Sequence, residues 1–321
     1  MSVPGRVLVT GASGFVGRAV VARLAQAATP VWAALRQGPS APLPGVDVAQ
    51  VGDIHATTDW RGAVEGVDVV VHCAARVHVM HETAADPLAA FRAVNVAGTL
   101  QLARQAQAAG VRRLVFVSSI GVNGAETTGR PFTAEDAPAP HSPYAQSKLE
   151  AEVALRRLSA QFGIELVIVR PPLVYGPDAP GNFSTLIRAI HRGIPLPFGA
   201  VDNLRSLVAL DNLVDLLALC GNHPAAAGQI FLVSDGEDVS TPTLLHRIAS
   251  ALGRSARLLP VPVLLLRGAA RLLGRAGAAQ SLCGSLQVNI SKTRKLLRWS
   301  PTVGMEAALA NTARQYLGQR H

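Results

Sequence analysis

The chain has 321 residues, about half of them hydrophobic and few aromatic, with a formal net charge of +9. That length holds one large domain or two smaller ones sharing an interface, and the composition excludes a disordered chain. Basic residues are scattered or in short clusters such as Arg112-Arg113 and Arg156-Arg157, with no basic stripe interleaved with aromatics, so a nucleic-acid groove is not expected and anionic small molecules suit the charge better.

Residues 1–6 run straight into a strand, so no signal peptide is expected. Residues 6–10 read as a short buried strand, followed by a Gly-rich turn and a helix over about 14–27. Residues 30–35 read as a second strand and 47–51 as a weak third. Residues 67–72 are nearly continuous valine, the texture of a strand buried on both faces. Residues 87–109 read as one long helix, 114–118 as a buried strand, 144–162 as a helix and 166–170 as the next strand. This alternation predicts an α/β chain with a Rossmann-like, doubly wound parallel sheet and right-handed crossovers.

After Pro171-Pro172 the texture changes, with frequent Gly and Pro between Gly176 and Gly199. Residues 229–233 read as one more strand of the sheet. The expected division is a dinucleotide-binding domain over 1–174, completed by about 205–238, and a smaller substrate domain from 175–204 and 239–321. The longest apolar run, 258–266, is flanked by Arg257 and Arg267 and is too short to span a bilayer. It reads as a helix of the substrate domain, with a place at a membrane surface as the other reading. Cys73, Cys220 and Cys283 are far apart and show no metal spacing, which fits a reduced, cytoplasmic protein.

The turn after the first strand reads Thr10-Gly11-Ala12-Ser13-Gly14-Phe15-Val16-Gly17. Its three glycines suit a tight turn, close approach of backbone to a pyrophosphate, and close helix packing. The helix start at Ser13, Gly14, Phe15 and Val16 offers free N–H groups and a positive dipole end to an anion. The plain alternative is an ordinary strand-to-helix turn; the position after an apolar strand opening an alternating pattern favours a dinucleotide. An acid at the end of the second strand normally accepts the ribose hydroxyls of NAD. Here that strand ends Ala33-Ala34-Leu35-Arg36-Gln37. Arg36 suits a 2′-phosphate, so NADP(H) is expected ahead of NAD, unless Arg36 only stacks on adenine or faces solvent. Asp53, before Ile54, reads as an adenine contact or a turn-stabilising acid.

Tyr144 and Lys148 lie about one helical turn apart, so phenol and ammonium share a face. A nearby ammonium favours the phenolate. Free tyrosine titrates near 10, so bringing it close to neutrality takes about 4 kcal/mol. Lys148 and a second positive charge, such as an oxidised nicotinamide, are expected to supply it.

With these motifs and the Ser118-Ser119 pair, the chain resembles the extended short-chain dehydrogenase/reductases. Asn95 in Val94-Asn95-Val96-Ala97-Gly98-Thr99, Arg170-Pro171 leading to Val174-Tyr175-Gly176-Pro177, and Leu297-Arg298-Trp299-Ser300-Pro301 match as well. The resemblance covers essentially the whole chain. It is closest to the UDP-galactose 4-epimerases and related 4-keto-sugar reductases, a branch that Cys73-Ala74-Ala75 and Cys283-Gly284-Ser285 also suggest. It implies that Ser119 holds the reacting oxygen at C4 of a UDP-sugar, Tyr144 moves its proton, and Lys148 lowers the tyrosine pKa and holds the nicotinamide ribose. It implies further cofactor contacts at Ile54, Cys73, Ala74, Ala75, Asn95, Ser118 and Pro171, and substrate contacts at Asn182 and Arg205. It also implies a homodimer through the helices around 91–108 and 144–162.

Two positions depart from the family pattern. The asparagine expected before Val174-Tyr175-Gly176-Pro177 is Leu173, and a late phosphate-clamping arginine has only Arg275 as a candidate. The Asp-Glu pair of the dehydratases is replaced by Ile120-Gly121, which excludes that chemistry. Arg36 makes NADPH-dependent reduction of a UDP-4-keto-6-deoxy-N-acetylhexosamine the expected reaction. UDP-hexose 4-epimerisation with NAD is the alternative, and a dinucleotide-sensing regulator is the rival of another class. His78 and His81 lack the acids or cysteines of a metal site. His72 and Cys73 read as core residues, Glu135-Asp136 as a solvated turn, and Asp211 as a helix cap.

Overall fold

The structure, a computed structural model, describes residues 5–38, 45–77, 86–274 and 276–318. In chain order come β1 (Val7–Thr10), α1 (Phe15–Gln26), β2 (Val31–Leu35), β3 (Val46–Gln50), the single turn α2 (Arg61–Val64) and β4 (Val69–His72). Next are α3 (Pro87–Arg92), a π-helical turn (Ala93–Gly98), α4 (Thr99–Ala108), β5 (Arg113–Val117), a 3₁₀ turn (Ile120–Val122) and α5 (Pro143–Phe162). They lead to β6 (Glu165–Arg170), β7 (Leu173–Tyr175), α6 (Asn182–His191), β8 (Arg205–Ala209), α7 (Leu210–Asn222), β9 (Ile230–Leu232) and β10 (Asp238–Val239). Five helices end the chain: α8 (Thr241–Ala251), α9 (Val263–Leu272), α10 (Ala276–Cys283), α11 (Ser291–Leu297) and α12 (Met305–Gly318).

Seven strands form one sheet in the order β3-β2-β1-β4-β5-β6-β9, every pair parallel. This is the Rossmann-like sheet expected from the alternation. Strand alternation sends Val7, Val9, Val69, Val71 and Val115 to one buried layer and Leu8, Val70, Leu114, Phe116 and Ile168 to the other. Both faces are covered, so the strands need apolar residues at every position. The order reverses between β1 and β4, which opens a crevice at their carboxyl ends. A second sheet, β10-β8-β7, stands beside a separate apolar cluster that includes Phe183, Ile190, Leu245, Ile248 and Leu309.

One expected element differs. The helix over 87–109 is interrupted by the π turn, which carries Asn95. A π turn adds one residue to the coil without changing the apolar pattern enough to be read. It seats the Asn95 amide against Arg76 and Ser147, which gives the interruption a structural reason.

Candidate active site

The turn after β1 is shaped for close approach. Gly11 has φ +65°, and a Cβ there would stand 2.8 Å from the N and Cα of Ala74, just beyond β4. A Cβ on Gly17 would strike the Gly11 carbonyl, so α1 can pack this tightly only with glycine. Gly14 caps α1 without a side chain, leaving the first-turn N–H groups of that helix free of side-chain caps. Ser13 and Gly14 are exposed above this turn, with Phe15 and Val16 half-buried behind them. A cradle that side chains would fill, beside a helix start, fits a dinucleotide pyrophosphate.

Beneath the turn, Thr10 Oγ1 lies 2.6 Å from His72 Nδ1 and accepts from Ala74 N at 3.2 Å. His72 Nε2 is 2.9 Å from Thr99 Oγ1. Burial, with Lys148 adding to it, pulls the imidazole down to about 3. His72 is a neutral core residue that ties β1, β4 and α4 together, as its place at a strand end suggested.

At the crevice rim, Arg36 Nε is 2.9 Å from Asp53 Oδ1, with both side chains exposed. The guanidinium assigned to a 2′-phosphate is matched by a carboxylate 17 positions on, a pairing that no local motif reveals. Ile54 packs where a Cβ on Gly98 would come within 2.5 Å of it, so the adenine-side loop rests directly on the π turn. Within that turn Asn95 accepts from Arg76 N at 2.8 Å and donates to Arg76 O at 3.0 Å and Ser147 Oγ at 2.9 Å.

Helix α5 starts at an N-cap, Ser142, which accepts from Ala145 N at 3.2 Å, with Pro143 at the first helical position. This places Tyr144 on the first turn and Lys148 on the second. Tyr144 is half-buried, its ring edge-on to Phe91 at 6.0 Å between centroids. Lys148 is buried, its Nζ 4.0 Å from the centre of the Phe116 ring. Burial pulls the ammonium down to about 7, opposed by Glu152 and then Cys73. Burial also pushes the Tyr144 phenol up to about 12. Desolvation of the phenol thus dominates in the protein alone; the expected downward shift was for Lys148 acting together with a cofactor's positive charge. The half-buried Cys73 thiol is likewise pushed up to about 12, so it offers no thiolate.

The two serines are distinguished. Ser118 is buried and donates to Glu152 Oε1 at 2.5 Å. Glu152 in turn accepts from Arg170 Nε at 2.9 Å and Nη2 at 2.5 Å, and Arg170 Nη1 donates to Asn123 Oδ1 at 3.0 Å. The Ser118 hydroxyl proton is thus engaged by a buried carboxylate. Ser119 is half-buried, and its Oγ accepts from Gly121 N at 3.1 Å. Pro171 holds the same turn, its carbonyl accepting from Ile120 N at 3.0 Å. Glu152 was missed from sequence. Its signal was its place one turn beyond Lys148, on the face carrying Tyr144.

On the substrate side, Asn182 is exposed at the start of α6. Arg205 starts β8 and donates to Gly284 O at 2.9 Å. Burial lowers the Arg205 guanidinium pKa, opposed by Glu126. Leu173 is exposed at the start of β7. Arg275, His78 and His81 lie outside the described residues. Asp211 does not cap α7. Asp235 instead lies behind the start of α7, accepting from Ala209 N at 2.8 Å, Asn212 Nδ2 at 2.7 Å and Tyr175 OH at 2.7 Å. Glu135 pairs with Lys292, and Asp136 accepts from Thr133 and Arg130, so both serve a surface turn. Among the described residues no cluster of His, Cys, Asp and Glu is suited to a metal ion.

A family model described as "NAD dependent epimerase/dehydratase family" matches residues 7–234. The chain belongs to this family. It is an NAD(P)-dependent enzyme on a Rossmann-like scaffold. Over 318 residues it is 44% identical to the UDP-glucose 4-epimerase of Vibrio cholerae, covering 98% of this chain and 96% of that protein. A second relative, the N-acetyl-alpha-D-glucosaminyl-diphospho-ditrans,octacis-undecaprenol 4-epimerase of Escherichia coli O157:H7, is 27% identical, covering 89% of this chain and 88% of that protein. Among solved structures, the UDP-glucose 4-epimerase of Thermotoga maritima with UDP-glucose superposes with a TM-score of 0.79 at 21% identity, over 98% of this chain and all of that one. That last likeness speaks for the fold alone. The epimerase/dehydratase family thus accounts for the Gly-rich cradle, the α5 pair and the crevice between them.

Proposed function

We propose that this chain is a UDP-hexose 4-epimerase that keeps its NAD bound through each turnover. The observation that carries the reading is the 44% identity to a UDP-glucose 4-epimerase over nearly the full length of both chains. The reading of an NADPH-dependent 4-keto-sugar reductase rested on Arg36, whose guanidinium here meets the exposed Asp53 carboxylate, a pair that weakens the inference from that arginine. Nothing else in the chain favours reduction.

The cradle of Gly11, Ser13, Gly14, Phe15, Val16 and Gly17 would hold the pyrophosphate, with Asp53 and Ile54 toward adenine. Cys73, Ala74, Ala75, Asn95, Lys148 and Pro171 would surround the nicotinamide half. Held there, NAD would supply a reversible hydride acceptor at C4 of the sugar. The protein's part is acid–base and positional. Ser119 holds the C4 oxygen, Tyr144 takes its proton as that carbon becomes a ketone and gives it back afterwards, and Lys148 steadies the phenolate. The buried Glu152–Arg170 pair fixes the rear of α5 so that these groups keep their spacing. Asn182 and Arg205 hold the diphosphate of the substrate.

Two further readings go with this proposal. The second sheet and its own apolar cluster support a substrate domain built from 175–204 and 239–321, set against a dinucleotide domain of 1–174 and about 205–238. The resemblance to the family carries a homodimer through the α3–α4 and α5 faces; sedimentation as a monomer at micromolar concentration would count against it. Purified protein given UDP-glucose or UDP-N-acetylglucosamine should form the 4-epimer with no net change in reduced dinucleotide. Stoichiometric oxidation of NADPH with a 4-keto sugar would overturn the reading.

A further inference from the structure

We infer that α9 is a docking helix for an anionic lipid surface. The helix packs loosely, and no residue in it is fully buried. Leu264 and Leu272 are 84% and 91% exposed, with Leu265 and Leu273 at 64% and 74%. At 3.6 residues per turn these leucines share one side of the helix with exposed Gly268 and Ala269, while half-buried Val263, Leu266 and Ala270 face the other way. An unbroken apolar face of four leucines open to water is not what a free soluble surface carries.

The charge around it selects the occupant. From Val239 to Met305 the sequence contains no aspartate or glutamate, yet it holds Arg254, Arg257, Arg267 and Arg271 along with further Lys and Arg. Arg271 flanks the exposed leucine face and has no carboxylate partner among the described residues. Arg192, Arg254 and Arg257 line one shallow pocket in which no acid appears, and the chain runs from that pocket past half-exposed Leu259 into α9. Exposed leucines with bordering arginines form the two parts of an interfacial helix, an apolar wedge and a cationic collar for phosphate headgroups. A second copy of this strongly basic segment would meet like charge. An anionic bilayer gains both contacts.

The helix also adjoins the substrate side. Arg267 pairs with Glu126 at 3.3 Å, and a Cβ on Gly284 would fall 2.6 Å from Glu126 Oε1. Gly284 is the residue whose carbonyl holds Arg205. Docking through α9 would therefore set the substrate side of the crevice close to the lipid surface.

Co-sedimentation of the full chain with vesicles tests this. Phosphatidylcholine vesicles containing about one-third phosphatidylglycerol should carry the protein down, pure phosphatidylcholine should not, and added salt should release it. Leu264→Asp with Leu272→Asp should weaken partitioning roughly 100-fold, and Arg271→Glu should weaken it less. The Leu264→Asp/Leu272→Asp protein should keep the parent's circular dichroism spectrum and urea unfolding midpoint, which separates a docking defect from misfolding and keeps this test independent of the proposed activity. Wild-type protein left in the supernatant, or variants that bind vesicles equally well, would overturn the inference. So would a wild-type oligomer that the leucine variants break up, which would give the face to a second copy.

Discussion

Arg170 of β6 grips Glu152 of α5 through two hydrogen bonds, with both side chains almost wholly buried. Removing one partner of a buried pair leaves an uncompensated charge, which costs about 3–5 kcal/mol. Glu152→Gln should lose most of that in urea unfolding, and Arg170→Lys should not restore a parallel two-bond contact. Loss of less than about 1 kcal/mol in Glu152→Gln would mean that the network contributes little.

Tyr144 is the acid–base group proposed for the reacting oxygen. Tyr144→Phe keeps the ring against Phe91 and removes only the hydroxyl. Turnover should fall by about 10²–10⁴-fold while UDP-sugar affinity, measured by calorimetry, stays within a few-fold. Undiminished turnover would reassign the proton transfer.

Asp53 holds Arg36 at the crevice rim. Asp53→Ala should free the guanidinium for a 2′-phosphate and improve NADP(H) binding by about tenfold relative to NAD, as expected for a new charge-assisted contact. Dinucleotide titration by fluorescence or calorimetry reads this directly. An unchanged NADP(H)-to-NAD ratio would show that Arg36 does not face the ribose.

Lys148 is held at about 7, against 10.5 when free. Between those values the unfolded chain binds a proton that the folded chain lacks, so this residue makes stability rise with pH. The slope is at most about 1.4 kcal/mol per pH unit. Cys73 works the other way above its free value of 9.0, so pH 7 to 9 is the clean window. In dinucleotide-free protein, wild type should gain stability relative to Lys148→Met across that window. A constant difference between the two would place the lysine in a wetter site than its burial indicates.

Much of this was legible in the sequence because it is local. Buried parallel strands must be apolar at every position, so β1, β4, β5 and β6 stand out as short Val- and Leu-rich runs. The Gly11-Gly14-Gly17 spacing and the Tyr144–Lys148 step are likewise short-range signals. What was hidden depends on contacts across the fold. Arg36 and Asp53 meet only because β2 and the loop after β3 lie side by side. Ser118 turned to Glu152 because α5 brings a carboxylate behind β5. Asp211 does not cap α7, and the carboxylate that anchors its start, Asp235, arrives from beyond β9. The π turn at Ala93–Gly98 leaves the surrounding apolar rhythm nearly intact, and the apolar run ahead of Arg267 could not disclose which of its leucines face water.

The side chain of Asn212 is fully buried and donates to Asp235 Oδ1 at 2.7 Å and Val303 O at 2.8 Å, while its oxygen accepts from Thr302 N and Val303 N, each at 2.9 Å. Through this one amide the start of α7, the loop after β9 and the lead into α12 are stitched together. The tail of the chain is consequently a keystone rather than an appendage. A protein shortened before Thr302 would strand that amide in a dry interior and unfasten the seam between the large sheet and the helices beyond it.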